Sequence, residues 1–368
     1  LPTIKVRNGA FTTVPNFTKY SGMFEPGVIS HDMTECDWKN ASKVGMTLSN
    51  NQSGSLLTGD SPYICTDVDL DNLGKVGATD LTVKGNTTVA GGVFGGGDMS
   101  AVTPNPTYSD KTIKGDTKVT IEKNDNDETP TISNVYGGGN TADVTGNAEV
   151  SMTNGAVTQD IYGGGKGAAT VVSGNVTVGI NAGTVSRNVY GGSALGAVNA
   201  AKDSSTGELT YTEDMTTQVG IHGGTITGSV FGGGLGHDDA DPIKDIIAKN
   251  FGNTTVTVDG CTVSTAVYGG SNEYGVLMKN STVTITGGTV GTLATPRNNA
   301  VFGGGFGEPT LVEGDVLVSI GTKSDDPTPV YAGTATINGN IYGGGALGNT
   351  NASGPSAFNT SLDRKSVV

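Results

Sequence analysis

The chain has 368 residues, 60 of them glycine, with 35% apolar and 6% aromatic residues and a formal charge of −14. So much glycine with so few rings excludes an ordinary single-core globular domain, while the recurring Val, Ile and Tyr exclude the disordered class. No basic stripe accompanies the acidic balance, which excludes nucleic acid as the expected partner, and no stretch approaches the roughly 18 apolar residues of a membrane span, so the chain is not expected to cross a membrane.

Residues 1–14 read as a partial coil of the repeat set out below, because Thr3–Thr12 matches Val150–Thr158 in its alternation and its Asn-Gly step. Residues 15–80 fit that repeat poorly and read as an irregular insertion or a small N-terminal lobe holding the single tryptophan, Trp38. Whether Cys36 and Cys65 pair there stays open, since spacing alone does not decide it. Asp69, Asp71, Gly74, Val76 and Asp80 resemble one calcium loop of a dockerin. However, Leu73 stands where a third oxygen ligand belongs, and Leu81-Thr82-Val83 starts a strand rather than a helix, so an ordinary loop is preferred.

From residue 81 the chain repeats. A β-branched residue, a ring and glycines recur at Val93-Phe94-Gly95, Val135-Tyr136-Gly137, Ile161-Tyr162-Gly163, Val189-Tyr190-Gly191, Val230-Phe231-Gly232, Val267-Tyr268-Gly269, Val301-Phe302-Gly303 and Ile341-Tyr342-Gly343. Such periodicity marks one structural unit per copy. In the unit between Tyr162 and Tyr190, Val176, Val178 and Ile180 alternate with Thr177 and Gly179, which puts the apolar side chains on one face. Gly183-Thr184-Val185 and Asn188-Val189-Tyr190 follow as further short strands. Val150, Met152, Val157 and Ile161 repeat the pattern, as do Val256, Val258, Val263 and Val267, and Val283, Ile285, Val290 and Val301.

Each unit supplies too few inward residues for a core of its own, whereas stacked units with strands about 4.8 Å apart bury a continuous column. The fold class expected is all-β, a right-handed parallel β-helix over 81–368. A propeller blade needs about 40 residues, and the step from Tyr136 to Tyr162 is only 26. No hexapeptide rhythm supports the left-handed form, and parallel crossovers favour the right hand. Excess length falls in 104–111, 123–130, 201–213, 237–250, 292–299 and 323–331, which are rich in Pro, Asp, Asn and Ser and are expected at fixed corners. Ser366-Val367-Val368 reads as the first step of another strand, so a longer parent chain is expected.

Several groups of residues invite a chemical reading. The glycine turns suggest a phosphate cradle, but a nucleotide loop occurs once, between a strand and a helix; recurrence favours a backbone role, positive φ at a corner and close approach of adjacent coils. The rings read either as a stacked column or as an exposed track for sugars, since alternation with Val189 inward turns Tyr190 outward. Gly233-Gly234-Leu235-Gly236-His237-Asp238 matches the opening of a calcium-binding nonapeptide, which makes Asp238, Asp239 and Asp241 the candidate calcium ligands, against the plainer reading of a solvated acidic loop. Outward Thr177, Thr257 and Thr284 suggest a regular polar face of the kind ice binding needs, yet Ser151, Gly220 and Leu317 break the column. Cys261 takes the place of Gly155, Gly183, Gly224 and Gly288 and is expected inward. No cofactor and no catalytic residue is assigned. The three histidines, His31, His222 and His237, suggest no nucleophile triad.

The Val/Ile-Tyr/Phe-Gly-Gly-Gly unit, with Gly146-Asn147 and Gly174-Asn175 before the next strand, resembles the glycine-rich repeats of large bacterial surface proteins and adhesins over residues 81–350. That resemblance implies an extracellular or cell-surface structural module, displaying variable acidic loops to a protein, a glycan or neighbouring copies of itself in a rod or filament. The alternative is a carbohydrate-active β-helix, a polysaccharide lyase, a glycosidase-like enzyme or a carbohydrate-binding module. Against it, the Gly-His-Gly and Arg-Ile-Lys signatures of those enzymes are absent, and Gly236-His237-Asp238 is a partial echo.

Overall fold

The structure, a computed structural model, describes residues 76–104, 114–203, 205–212, 214–238, 244–292, 300–324, 330–351 and 366–367. The chain divides into two units, Leu1–Lys75 and Val76–Val368, and the described residues belong to the second. The expectations for residues 1–14, for Trp38, and for Cys36 with Cys65 lie outside the described residues.

The described unit is all-β and is dominated by three long parallel sheets. The alternating segments form sheet I, whose nine strands are Thr79–Lys84, Thr117–Glu122, Ala148–Met152, Val176–Ile180, Thr216–Ile221, Asn253–Val258, Ser281–Ile285, Val316–Ile320 and Ser366–Val367, in that spatial order. Register runs residue for residue, so Val119, Val150, Val178, Val219, Val256, Val283 and Val318 form one column, beside Ile121, Met152, Ile180, Ile221, Val258 and Ile285. All of these side chains are buried. Ser366–Val367 pairs in parallel with Val316-Leu317, the strand expected from that segment.

Sheet II has 14 strands and carries both short pieces of each repeat. Thr88–Phe94 and Thr131–Tyr136 cross it unbroken, whereas later passes split, as in Ala156–Val157 followed by Ile161–Tyr162 and Thr184–Val185 followed by Val189–Tyr190. Ile132 and Val135 are three positions apart where later passes have four, as from Val157 to Ile161; Thr88–Phe94 also has four, and its pairing with Thr131–Tyr136 shifts register between Val89 and Gly92. Sheet III is a further element that the repeat pattern does not announce. Its six strands are Val171–Val172, Ala197–Val198, Ala248–Asn250, Gly275–Leu277, Leu311–Val312 and Asn349–Thr350, and single bridges through Val76, Val102 and Val144 extend it.

Each pass of the chain visits sheet I, sheet II, the glycine corner and sheet III, and pairs in parallel with the passes before and after it, an arrangement consistent with a parallel β-solenoid. The main core is the Val and Ile column between sheets I and II. A smaller apolar group, Val102, Val144, Ala148, Val172, Val176 and Val198, lies beside sheet III. Hydroxyls cross to the glycine corner: Thr79, Thr117, Thr254 and Ser281 donate to the carbonyls of Gly95, Gly137, Gly269 and Gly303 at 2.6 to 2.8 Å. Carbonyls that would otherwise stand unpaired in the interior are thereby satisfied.

Insertions leave at more than one corner, and some corners take several of them. Residues 105–113, 199–215 and 352–365 fall between sheets III and I, 123–130 and 321–335 between sheets I and II, 237–247 before sheet III, and 291–299 between the two limbs of sheet II. Two of them hold antiparallel hairpins, Ala200–Lys202 with Leu209–Tyr211 and Thr322–Ser324 with Val330–Ala332. A parallel ladder tolerates this because its pairing lies in the strands and lengthening a loop costs little.

Candidate functional site

The feature that recurs in every pass is the corner where ring meets glycine. From Phe94 through Tyr136, Tyr162, Tyr190, Phe231, Tyr268 and Phe302 to Tyr342, each ring stacks on the next with centroids 4.6 to 5.1 Å apart and planes within 3° to 12°. Strand spacing sets the repeat, because parallel neighbours in register lie at nearly the stacking distance of aromatic rings.

The rings from Tyr136 to Tyr268 are buried, which closes the exposed sugar track. Both Val189 and Tyr190 are buried, although they point to opposite faces of the strand. The second face is covered because the chain turns back after the glycines and lays Ala194, Leu235 and Ala346 over the ladder. The Tyr190 hydroxyl accepts from Asn188 at 3.1 Å and from Asn272 at 2.9 Å. Burial pushes the phenols of Tyr136, Tyr162, Tyr190 and Tyr268 above their ordinary range, Tyr268 to about 12.

The glycines serve close approach alone. None of the glycines that directly follow a ring of this ladder has a positive φ. Their amides are already bonded: Gly137 N donates to Tyr162 O at 2.9 Å and Gly138 N to Gly164 O at 3.0 Å, and Gly163, Gly164, Gly191 and Gly192 repeat the pattern. Donors spent within the ladder cannot cradle a phosphate, so that reading fails. A Cβ on Gly138 would lie 2.8 Å from Gly165 N, backbone against backbone. Positive φ occurs elsewhere, at Gly155, Gly183, Gly224 and Gly288, from 78° to 126°. Cys261 fills the equivalent place without a positive φ, and it is free, buried and packed against the main core as expected. Burial pushes its thiol up to about 12.

Polar ladders edge the sheets, a feature whose sequence signal is the Gly-Asn step. Asp116 Oδ1 accepts from Asn147 N at 2.7 Å, Asn147 Oδ1 from Asn175 N at 2.8 Å, and Asn175 Oδ1 from Thr216 N at 2.8 Å. Asn253, Asn280 and Asp315 continue the motif. A second ladder runs Asn134, Asp160, Asn188 and Ser229. Asp160 is the buried carboxylate of this set, 3.5 Å from the Arg187 guanidinium. Desolvation raises its pKa against the opposing pull of the Asn188 amide and Arg187.

The candidate cation ligands are not brought together among the described residues. Asp238 is exposed beside the insertion, and Asp239 and Asp241 lie outside the described residues. No group of three His, Cys, Asp or Glu side chains suited to a metal stands among the described residues. Asp80 lies within the strand Thr79–Lys84 and is exposed, so it is no loop ligand; Asp69, Asp71 and Gly74 lie outside the described residues. His222 Nδ1 sits 2.9 Å from both oxygens of Asp259 in an exposed pair. On the outward face of sheet I, Thr120, Ser151, Gly179, Gly220, Thr257, Thr284 and Ser319 align in register, next to a column holding Lys118, Glu149, Thr177, Gln218, Thr255, Thr282 and Leu317. Charge and size vary along these columns, unlike the uniform lattice of hydroxyls that ice binding requires.

The architecture defines a repeat protein of long parallel sheets whose polar side chains mostly complete the ladder itself. No helix among the described residues is long and apolar enough to cross a membrane. No family model matches the chain, and neither a curated protein nor a solved structure does.

Proposed function

We propose that residues 81–368 form a right-handed parallel β-helix like the glycine-rich repeats of bacterial surface proteins, and that this helix is a non-catalytic scaffold outside the cell. Its insertions, which carry acidic groups such as Asp125, Asp127 and Glu128, face a protein or glycan partner. The single supporting observation is that register in sheet I is held residue for residue across an insertion, as between Val178 and Val219 on either side of the 200–211 hairpin. A ladder indifferent to what interrupts it suits display, and connecting loops on rigid scaffolds commonly carry recognition. Right-handedness follows from the chirality of parallel crossovers.

A glycan and surface-protein array probed with the whole chain, run beside a turnover assay on uronic-acid polymers, tests this reading. Expected is binding without turnover, lost when residues 237–247 are replaced by a short Gly-Ser link. Polymer cleavage abolished by Asp238→Ala replaces the scaffold with a carbohydrate-active enzyme.

A further inference from the structure

Where sheet I hands over to sheet II, one pass carries a side chain that its neighbours lack. Gly155, Gly183, Gly224, Cys261 and Gly288 occupy the same place just before the first limb of sheet II, and the residues preceding them are Asn154, Ala182, Gly223, Gly260 and Gly287. Of these five passes, that of Asn154 alone brings an amide side chain to the corner. Gly155 has a φ of 126°, and a Cβ added to it would lie 3.1 Å from Pro130 O. The backbone therefore demands glycine after this asparagine.

The Gly155 nitrogen is bonded to the side chain beside it. It donates to Asn154 Oδ1 at 2.9 Å, whereas Asn154 N and Ala156 N on either side donate to Ile121 O and Pro130 O of the preceding pass. A carbonyl bond is only about 1.23 Å long, so Asn154 Cγ stands just behind Oδ1, close to the roughly 3–3.5 Å of a near-attack pair. Glycine adds no side chain to obstruct the nitrogen. Asn154 is half-buried, and its Nδ2 makes no hydrogen bond among the described residues. The amide can turn about Cβ–Cγ to present its carbonyl face, and ammonia has a way out. The other Asn-Gly step among the described residues, Asn338-Gly339, is held differently: Asn338 Nδ2 donates to Gly291 O at 3.1 Å, which ties that side chain to the preceding pass.

We propose that Asn154 is a site of spontaneous deamidation in the folded protein, through a cyclic imide closed by the Gly155 nitrogen. Hydroxide takes the Gly155 N–H proton, and the nitrogen bonds to Asn154 Cγ. The Cγ–Nδ2 bond breaks, and Nδ2 leaves as ammonia with a proton from water, which regenerates hydroxide. Water then adds to one or other imide carbonyl and opens the ring to aspartate or isoaspartate, with no electron gained or lost. Either product puts a new carboxylate at the corner. Isoaspartate also lengthens the main chain just before Gly155 O, which accepts from Thr184 N at 3.0 Å and so helps to seat the next pass. This inference rests on the chemistry of one turn and stands apart from the display function.

Peptide mapping by mass spectrometry, after incubation of the folded whole chain in mildly alkaline buffer, tests it. The step Asn8-Gly9, outside the described residues, falls in a separate peptide. Expected is conversion of amide to acid at Asn154 about tenfold or more faster than at Asn338, the scale that near-attack placement sets. The rate should rise with pH, and isoaspartate should be among the products. Asn154→Ala should remove the signal while circular dichroism shows the fold retained. An Asn154 that keeps its amide in the folded protein, or that converts no faster than Asn338, overturns the proposal.

Discussion

Replacing Gly163 with alanine isolates the demand the corner makes. An alanine Cβ there lands 2.5 Å from Val176 Cγ1 and nearer still to the carbonyl oxygen of Gly191 in the next pass. Carbon contacts settle at about 3.5–4.0 Å, so the passes must part locally by about 1 Å. That displacement stretches the bonds Gly163 N to Tyr190 O, now 2.9 Å, and Gly164 N to Gly192 O, now 3.1 Å, beyond useful length. Leaving a buried backbone group unpaired costs about 1–3 kcal/mol, and overpacking adds about 1–3 kcal/mol. Against this, alanine removes unfolded-state freedom worth about 0.4–1 kcal/mol. The net expectation is destabilisation of about 1–5 kcal/mol. Gly179 is the control, since a Cβ there meets nothing within 4 Å. Gly179→Ala should stabilise by about 0.4–1 kcal/mol, opposite in sign. Urea unfolding followed by far-ultraviolet circular dichroism, with midpoint and slope both compared, measures the pair. Equal midpoints for the two variants would refute the claim that the corner requires glycine for close approach.

Two further outcomes follow from the buried groups. Asp160→Asn keeps the Oδ1 acceptor that Asn134 and Asn188 supply in the same ladder. Burial raises the Asp160 pKa above 3.8, so the folded state holds its proton more tightly than the unfolded chain, and the stability this confers is present below that value and lost as pH rises through the folded pKa. The variant should therefore be more stable than the parent at neutral pH, by a margin that shrinks as pH falls toward 3.8; a loss at neutral pH means that Arg187 outweighs desolvation. Cys261, its thiol pushed up to about 12 by burial, should resist iodoacetamide at neutral pH until denaturant is added, as read by peptide mass mapping. Alkylation of Cys261 in the folded protein contradicts its inward placement.

The alternation of Val176, Val178 and Ile180 is enough to read sheet I, and the recurrence of ring and glycine is enough to read stacked parallel passes. Sheet III escapes because two-residue strands such as Val171–Val172 and Asn349–Thr350 are too short to show a period. Burial of Tyr190 escapes for another reason: alternation turns it outward, and only the returning Ala194 and Leu235 cover it. At the corner, recurrence of glycine leads to an expectation of both positive φ and close approach; the backbone has the second and not the first. Acidic residues such as Asp238 are visible in sequence, but convergence on a cation is a property of folded loops that spacing does not encode. The Asn and Asp ladders show only as a Gly-Asn dipeptide, since one side-chain oxygen serving the next pass needs a neighbour that lies some thirty residues away, as Asn147 does from Asp116.

The ring ladder has one more effect. Since Tyr136 sets the place of Tyr162, and Tyr162 that of Tyr190, each circuit of the polypeptide is aligned afresh against its predecessor. Positional drift introduced by a lengthened connection is cancelled at the next aromatic instead of being handed on. Foreign peptides spliced between Gly236 and Ile246 should thus leave the distant circuits where they are, and evolution can rewrite those segments independently of one another.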